Sequence, residues 1–378
     1  MEEKRVFYYY GDKNPLIEIH TADLHFGAMD PKVQYDILMG QMVNKIRDLQ
    51  FDVFFINGDI FHHKFMSNSD TIMYASLFID EVVRLCMSKN ATLVLLHGTA
   101  SHDADQLKLF YHYIGSGVDI RIVETTRFEI IKGIRVLCIP EEYNKGYDYY
   151  SQFLYFSGQY DMAVLHGAVK GSIYGCDEAN LSSIKAPVFD INCFRNCMGP
   201  IICGHVHVAG CYQKDIYYSG SPLRWRFGEE QTKGFIICLY NPNDYRYYIN
   251  FEEITSFRYD TIDLNNMINY DPKEIINYIL QLKASGIDYI KIRFNASNEH
   301  TDIIKRYFSN KSNITIDVED SKFQETIRDN QKNNDEFKDY DYLLDTNLSP
   351  YEIFSRYVNQ SKGYQFITTD ELIKILSE

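Results

Sequence analysis

Phe51-Asp52-Val53-Phe54-Phe55-Ile56-Asn57-Gly58-Asp59-Ile60-Phe61-His62-His63 decides how the chain is read. The first half is a short apolar run of aromatic and β-branched residues, the composition of a buried strand. It stops at a Gly, and a carboxylate follows at once. A carboxylate at the C-terminal end of a buried strand stands where α/β folds place their ligand crevice. One such turn is commonplace. Here the chain repeats the strand-to-polar-tip transition along its first 240 residues, and each tip carries His or Asp. Asp59 is therefore read as the hub of a two-metal site, with the other tips supplying its remaining ligands.

Those tips come in order. Leu16-Ile17-Glu18-Ile19-His20 alternates as a strand, and Asp23-Leu24-His25 lies just past its end. Side chains two apart on an extended backbone share a side, so Asp23 and His25 can chelate one cation. His20 is given no role. Residues 32–49 carry apolar side chains at helical spacing, as do Thr71 to about Lys89, so the start of the chain reads strand–helix–strand–helix. Ala91–Leu96 is the next buried strand, and its tip holds His102-Asp103, a proton donor beside a carboxylate. A helical stretch opens near Asp105. Arg135–Ile139 and Asp161–Leu165 are further strands, the second ending in His166. Pro200–Cys203 leads into Gly204-His205-Val206-His207, the most specific local signal in the chain: two imidazoles two residues apart can share a metal or serve adjacent ones. His63, His97, His112 and His300 lack this context and read as packing or solvent histidines.

Composition sets outer bounds. With 45% hydrophobic and 15% aromatic residues in 378, the chain can fill one large domain and a smaller one. The net charge of -14 argues against general electrostatic capture of nucleic acid, though a metal centre could still bind phosphate. No apolar run of roughly 18 residues suggests a membrane span. Met1-Glu2-Glu3-Lys4-Arg5 has no secretory core, and the eight cysteines form no dense framework, so a cytoplasmic protein with reduced thiols is expected. Cys193 and Cys197, spaced C-x3-C, lack the second ligand pair of an ordinary structural zinc.

Together Asp23-x-His25, Gly58-Asp59-x-x-His62, His102-Asp103, His166 and Gly204-His205-x-His207 resemble the calcineurin-like metallophosphoesterase superfamily. Tyr218-Ser219-Gly220-Ser221, Arg224, Phe227-Gly228-Glu229 and Lys233-Gly234-Phe235, with the Phe61-His62 pair, look more narrowly like the SbcD-type DNA double-strand-break repair nucleases. The resemblance implies an α/β fold: a two-sheet α/β/β/α sandwich with a small α+β capping domain and a C-terminal helical tail. It implies a nuclease domain over 1–250 and a capping, DNA-binding domain over 251–320, where 271–318 reads helix, strand, helix, strand. An acidic linker over 321–347 and a helical ATPase-binding segment over 348–378 complete the layout.

In site terms, the resemblance implies that Asp23, His25 and His207 bind a first metal, His166 and His205 a second, and Asp59 both. His102 would be the general acid or transition-state stabiliser near the leaving oxygen, oriented by Asp103, and His62 would support the metal centre. The implied cofactor is Mn(II), two per subunit, with Mg, Fe or Zn as substitutes. The implied partners are double-stranded DNA and DNA ends, an SMC-like coiled-coil ATPase of the SbcC kind, and a second copy of the chain meeting it through helices 32–49 or 71–89. The implied activity is exo- and endonucleolytic; a phosphodiesterase or phosphatase of the same fold, or a catalytically weak scaffold, are the alternatives. One departure stands out. The family usually has Gly-Asn-His-Asp, where this chain has Gly98-Thr99-Ala100-Ser101-His102-Asp103. Ser101 or Thr99 could offer a hydroxyl in place of the Asn oxygen, or water could fill the place, and a neutral hydroxyl predicts a weaker second metal.

Overall fold

A computed structural model describes residues 14–170, 187–213, 215–229, 231–264, 270–294, 299–311 and 313–318. The acidic linker and the helical tail expected after residue 320 lie outside them. The chain divides into two compact units, Met1–Asp260 with Leu282–Tyr289 and Thr261–Gln281 with Ile290–Glu378.

The strands of the first unit are β1 (Leu16–Thr21), β2 (Val53–Asn57), β3 (Thr92–Leu96), β4 (Asp119–Val123), β5 (Arg127–Ile131), β6 (Ile134–Ile139), β7 (Met162–His166), β8 (Ala168–Val169), β9 (Val188–Phe189), β10 (Ile201–Gly204), β11 (Gly210–Gln213), β12 (Ile216–Tyr218), β13 (Lys233–Asn241) and β14 (Arg246–Ile254). They build two six-stranded sheets, β14-β13-β1-β2-β3-β4 and β11-β12-β10-β7-β6-β5, with β8 and β9 paired separately. In the first sheet β1 to β4 run parallel and β13 returns antiparallel beside β1. In the second, β6, β7, β10 and β12 run parallel between two antiparallel edge strands.

Side-chain alternation along β2 explains the layering. Phe54 and Ile56 face a core shared with the helices, while Val53 and Phe55 face Val136, Val164 and Ile202 of the other sheet. A strand buried on both faces must be apolar throughout, which is why β2, β3 and β7 read as unbroken apolar runs. The helical side of the first sheet is α1 (Pro31–Ile37), a π-helical stretch at Leu38–Val43, α2 (Asn44–Arg47) and α3 (Asp70–Lys89). The expected helix over 32–49 is thus continuous in direction but widened in its middle, where apolar spacing alone gives no warning. Ser69 caps α3 by accepting from the Ile72 N–H, and Asn90 ends it in the left-handed conformation. The outer face of the second sheet packs Leu137, Leu165 and Cys203 against Tyr150 and Leu154 of α4 (Tyr147–Leu154). The result is the four-layer α/β/β/α sandwich. The stretch after Asp105 is a 3-10 helix, Gln106–Tyr113.

Further along the chain, β15 (Tyr259–Asp263), β16 (Tyr289–Phe294) and β17 (Ile314–Val318) form a three-stranded sheet, with β16 and β17 parallel. Helices α5 (Pro272–Ala284) and α6 (Glu299–Phe308) complete the helix–strand–helix–strand order read from the sequence. Among the described residues no helix is long and apolar enough to cross a membrane.

Phe54 is fully buried in the helix-side core. Phe54→Ala is expected to lower unfolding free energy by about 3–5 kcal/mol, the usual cost of emptying a core aromatic site. Urea denaturation followed by circular dichroism measures it, with the mostly exposed Phe156→Ala as the control that should leave stability nearly unchanged.

Candidate metal centre

Because the parallel strands of each sheet point the same way, their C-terminal ends gather the polar tips. His166 pairs with Gly204 at the ends of β7 and β10, and Asn57 with Leu96 at the ends of β2 and β3. Beyond β1 and β2 the two loops stay zipped: the N–H groups of Asp23, His25 and Phe26 donate to the carbonyls of Gly58, Asp59 and Ile60 at 3.0, 3.0 and 2.8 Å. Asp23, His25, Asp59 and His205 all have φ between 49° and 87°. Left-handed backbone is sparsely populated by L residues, and its concentration at four candidate ligands is a mark of function.

The turns press close. A side chain at Gly98 would place Cβ 2.2 Å from Asp59 N and Oδ1, and one at Gly58 would meet His166 Nδ1 at 2.2 Å. Only glycine lets the β3 tip and the β7 histidine approach the Asp59 turn.

Three groups of potential ligands surround Asp59: Asp23, His25 and His207; Glu141, His166 and His205; and Asp23, Asp59 and His166. The Nε2 atoms of His25 and His207 face one another at 3.0 Å. Asp59 Oδ2 lies 3.7 Å from His25 Nε2 and 3.3 Å from His166 Nε2, so a single oxygen stands between the two histidine groups. His166 Nδ1 donates to the Asn57 carbonyl at 2.7 Å, turning Nε2 toward Asp59.

The buried acids and imidazoles set one another's charge. Burial alone would raise the Asp59 carboxyl; the imidazoles of His166 and His25 outweigh it and hold its pKa low. Burial would likewise lower His166, but the Asp59 carboxylate keeps its pKa well above the ordinary value. Burial pushes His25 down to about 2, leaving a neutral imidazole, and raises Asp23. A donor set of convergent imidazole nitrogens and carboxylate oxygens, with the Nε2 atoms of His25 and His207 3.0 Å apart, fits divalent cations of the Mn, Fe or Zn kind. A cation must displace the His166 proton to use that nitrogen.

The structure brings together Asp23, His25, Asp59, His166, His205 and His207. It corrects two expectations. Ser101 is exposed on the turn. Thr99 is the hydroxyl that enters, donating to Glu141 Oε2 at 3.1 Å with Asp59 Oδ2 at 3.3 Å. Glu141 itself, unremarked in the sequence, supplies the charged oxygen: Oε2 lies 3.1 Å from His205 Nδ1 and 3.8 Å from His166 Nε2. The expected weakness of the second position rests on a neutral hydroxyl in place of the Asn; the buried Glu141 carboxylate stands there beside Thr99. Its signal was Pro140-Glu141-Glu142 after β6, another strand tip with an acid.

The second correction concerns Asp103. Its carboxylate does not hold His102. It accepts from the N–H groups of Asp59, Phe61 and Gly98 at 3.0, 3.1 and 2.8 Å, bracing the Asp59 turn from beneath. Burial, aided by the Asp59 charge, pushes its pKa up to about 6. His102 is oriented instead by the carbonyl of His62, which accepts from its Nδ1. The rings of His62 and His102 stack 5.6 Å apart, and both share a ligand group with His25. His20 stacks on Phe55 in the inter-sheet core, and His97 bonds the Ala104 carbonyl. Among the described residues Cys193 and Cys197 join no ligand group.

No family model matches the chain. It is 23% identical over 229 residues to a curated protein of Invertebrate iridescent virus 6 described as "Putative phosphoesterase 244L", a match spanning 59% of this chain and 76% of the viral one. Among solved structures, a cold-active protein-tyrosine phosphatase from a psychrophilic Shewanella is 13% identical, covering 65% of this chain and 82% of that one at a TM-score of 0.29. Another crystal structure matches over its whole length and 63% of this chain, at 12% identity and a TM-score of 0.40. Likeness at this level assigns neither fold nor chemistry.

A carboxylate common to two cation positions predicts unequal consequences of two substitutions. Asp59→Asn should abolish binding of both cations, whereas Glu141→Gln should weaken one and spare the other. Equilibrium dialysis with manganese, counted per folded chain, distinguishes the two.

Proposed function

We propose that the chain is a metal-dependent phosphoesterase acting on DNA, the nuclease subunit of a double-strand-break repair assembly. The observation that carries the hydrolytic reading is Asp59 Oδ2, shared between two imidazole-and-carboxylate groups. The order of the strand-tip motifs and the likeness to a viral protein described as a phosphoesterase support the ester chemistry. The resemblance of Tyr218 to Phe235 to the SbcD-type nucleases supports DNA as substrate.

On this reading Asp23, His25 and His207 would hold one cation and Glu141, His166 and His205 a second, with Asp59 serving both. Bound divalent cations supply Lewis-acid polarisation of the phosphate and charge stabilisation at the cleaved bond. They also offset the net charge of -14 where the phosphate must dock. Manganese is the proposed metal, two per subunit. His102 carries the proton transfer: with Nδ1–H donated to the His62 carbonyl, Nε2 is the atom that delivers a proton to the departing sugar oxygen. His62 thereby acts through its backbone as well as its ring. Asp103 contributes by fixing the turn that aims Asp59. Partnership with an SMC-like coiled-coil ATPase, action at DNA ends, homodimerisation, a capping role for the second unit and a cytoplasmic location complete the proposal.

His102→Ala should lower kcat about 10²–10⁴-fold, the usual contribution of a general acid, while manganese binding persists. The assay is cleavage of linear double-stranded DNA with manganese, with and without the ATPase, and with chelator as the blank. Cleavage that survives His102→Ala unchanged contradicts the assignment of the acid. No DNA cleavage by folded wild type in any condition, with turnover of a small phosphodiester, moves the substrate from DNA to nucleotides.

A further inference from the structure

We propose that Glu229 and Lys233 form a clamp that positions His207 and so sets the affinity of the cation position bounded by Asp23, His25 and His207. The inference rests on the reading of that position as a cation site. It assigns to these two residues a role of their own: Glu229 faces the ring nitrogen, and Lys233 bonds the backbone.

His207 presents Nε2 to His25 at 3.0 Å, toward the position. Its other ring nitrogen, Nδ1, lies 3.5 Å from Glu229 Oε1. An imidazole that donates from Nδ1 to a carboxylate keeps its lone pair on Nε2 and is the more basic for it. Glu229 is buried and held on both oxygens. Arg226 Nε donates to Oε1 at 3.1 Å, while Oε2 accepts from the Trp225 N–H at 3.3 Å and lies 3.3 Å from Lys233 Nζ.

Lys233 is 1% exposed. A buried ammonium is tolerated only when its donors are used. All three are placed: Glu229, the Ser221 hydroxyl at 2.8 Å and the His207 carbonyl at 3.1 Å. The Ser221 N–H also reaches that carbonyl, at 3.3 Å. One ion pair therefore bonds the main chain of His207 through Lys233 and sets a carboxylate 3.5 Å from its ring through Glu229. Trp225, the chain's one tryptophan, packs its ring against His25, His62 and His207 with centroids 5.2, 5.0 and 5.4 Å away. Its fluorescence is a local reporter of the same position.

The test titrates manganese chloride into wild type, Glu229→Ala and Glu229→Gln, read by calorimetry and by Trp225 emission, with melting curves to establish folding. Wild type should bind two ions, one of which changes the emission. Glu229→Ala should weaken that ion about 10–100-fold, the common effect of removing a carboxylate behind a ligating histidine, and leave the other unchanged. Glu229→Gln keeps the volume and an acceptor oxygen at Nδ1, so it should weaken the same ion by a smaller factor. It decides the matter if Glu229→Ala does not fold. If Glu229→Gln leaves both ions at wild-type affinity, or weakens both equally, the clamp is overturned. If wild type binds neither manganese nor zinc, the cation reading fails and the clamp with it.

Discussion

Asp59 is a carboxylate removed from water, in a left-handed turn, with imidazoles on two sides. Such a charge is costly unless opposite charge or hydrogen-bond donors surround it. Much of the first unit can be understood as meeting that demand. The Thr99 N–H donates to Oδ1 at 2.6 Å. Asp103 braces the turn through three backbone N–H groups, and glycines at 58 and 98 admit His166 and the β3 tip to contact distance. The two sheets contribute from opposite sides, the first through β1, β2 and β3, the second through β6, β7 and β10. A site assembled this way exists only when both sheets pack, so folding and ligand geometry are one event.

The arrangement separates tasks among chemically similar residues. Asp23 and Asp59 both join candidate ligand groups, yet burial raises one pKa while flanking imidazoles depress the other. Asp103 is a third buried acid, aimed at backbone rather than ligand. Among the histidines, His25 is held neutral and His166 is paired with Asp59. Role follows from surroundings, not residue type.

How much of this was legible in the sequence follows from range. Strands β2, β3, β7 and β10 can be read because burial on both faces forces apolar runs, and β1 by its alternation. Glu141 was passed over because its strand tip has neither the Gly nor the His that marked the others. The function of Asp103 could not be read at all: two of its hydrogen bonds reach 44 and 42 residues back along the chain, which leaves no local pattern. Pairing it with His102, its neighbour in sequence, was the natural error. Ser101 failed for the converse reason: nearness in sequence to His102 says nothing of direction on a tight turn, and the turn points it outward. The clamp of Glu229 and Lys233 was visible as a resemblance but not as a mechanism, since its target, His207, lies more than twenty residues before either.

The central claim is that Asp59 is shared by two cations. Crystals of the protein soaked in manganese and measured for anomalous scattering test it directly. The account predicts two peaks about 3.5–4 Å apart, astride Asp59, one against His25 and His207 and the other against Glu141, His166 and His205. A single peak, or none at Asp59 in an otherwise ordered site, would contradict it.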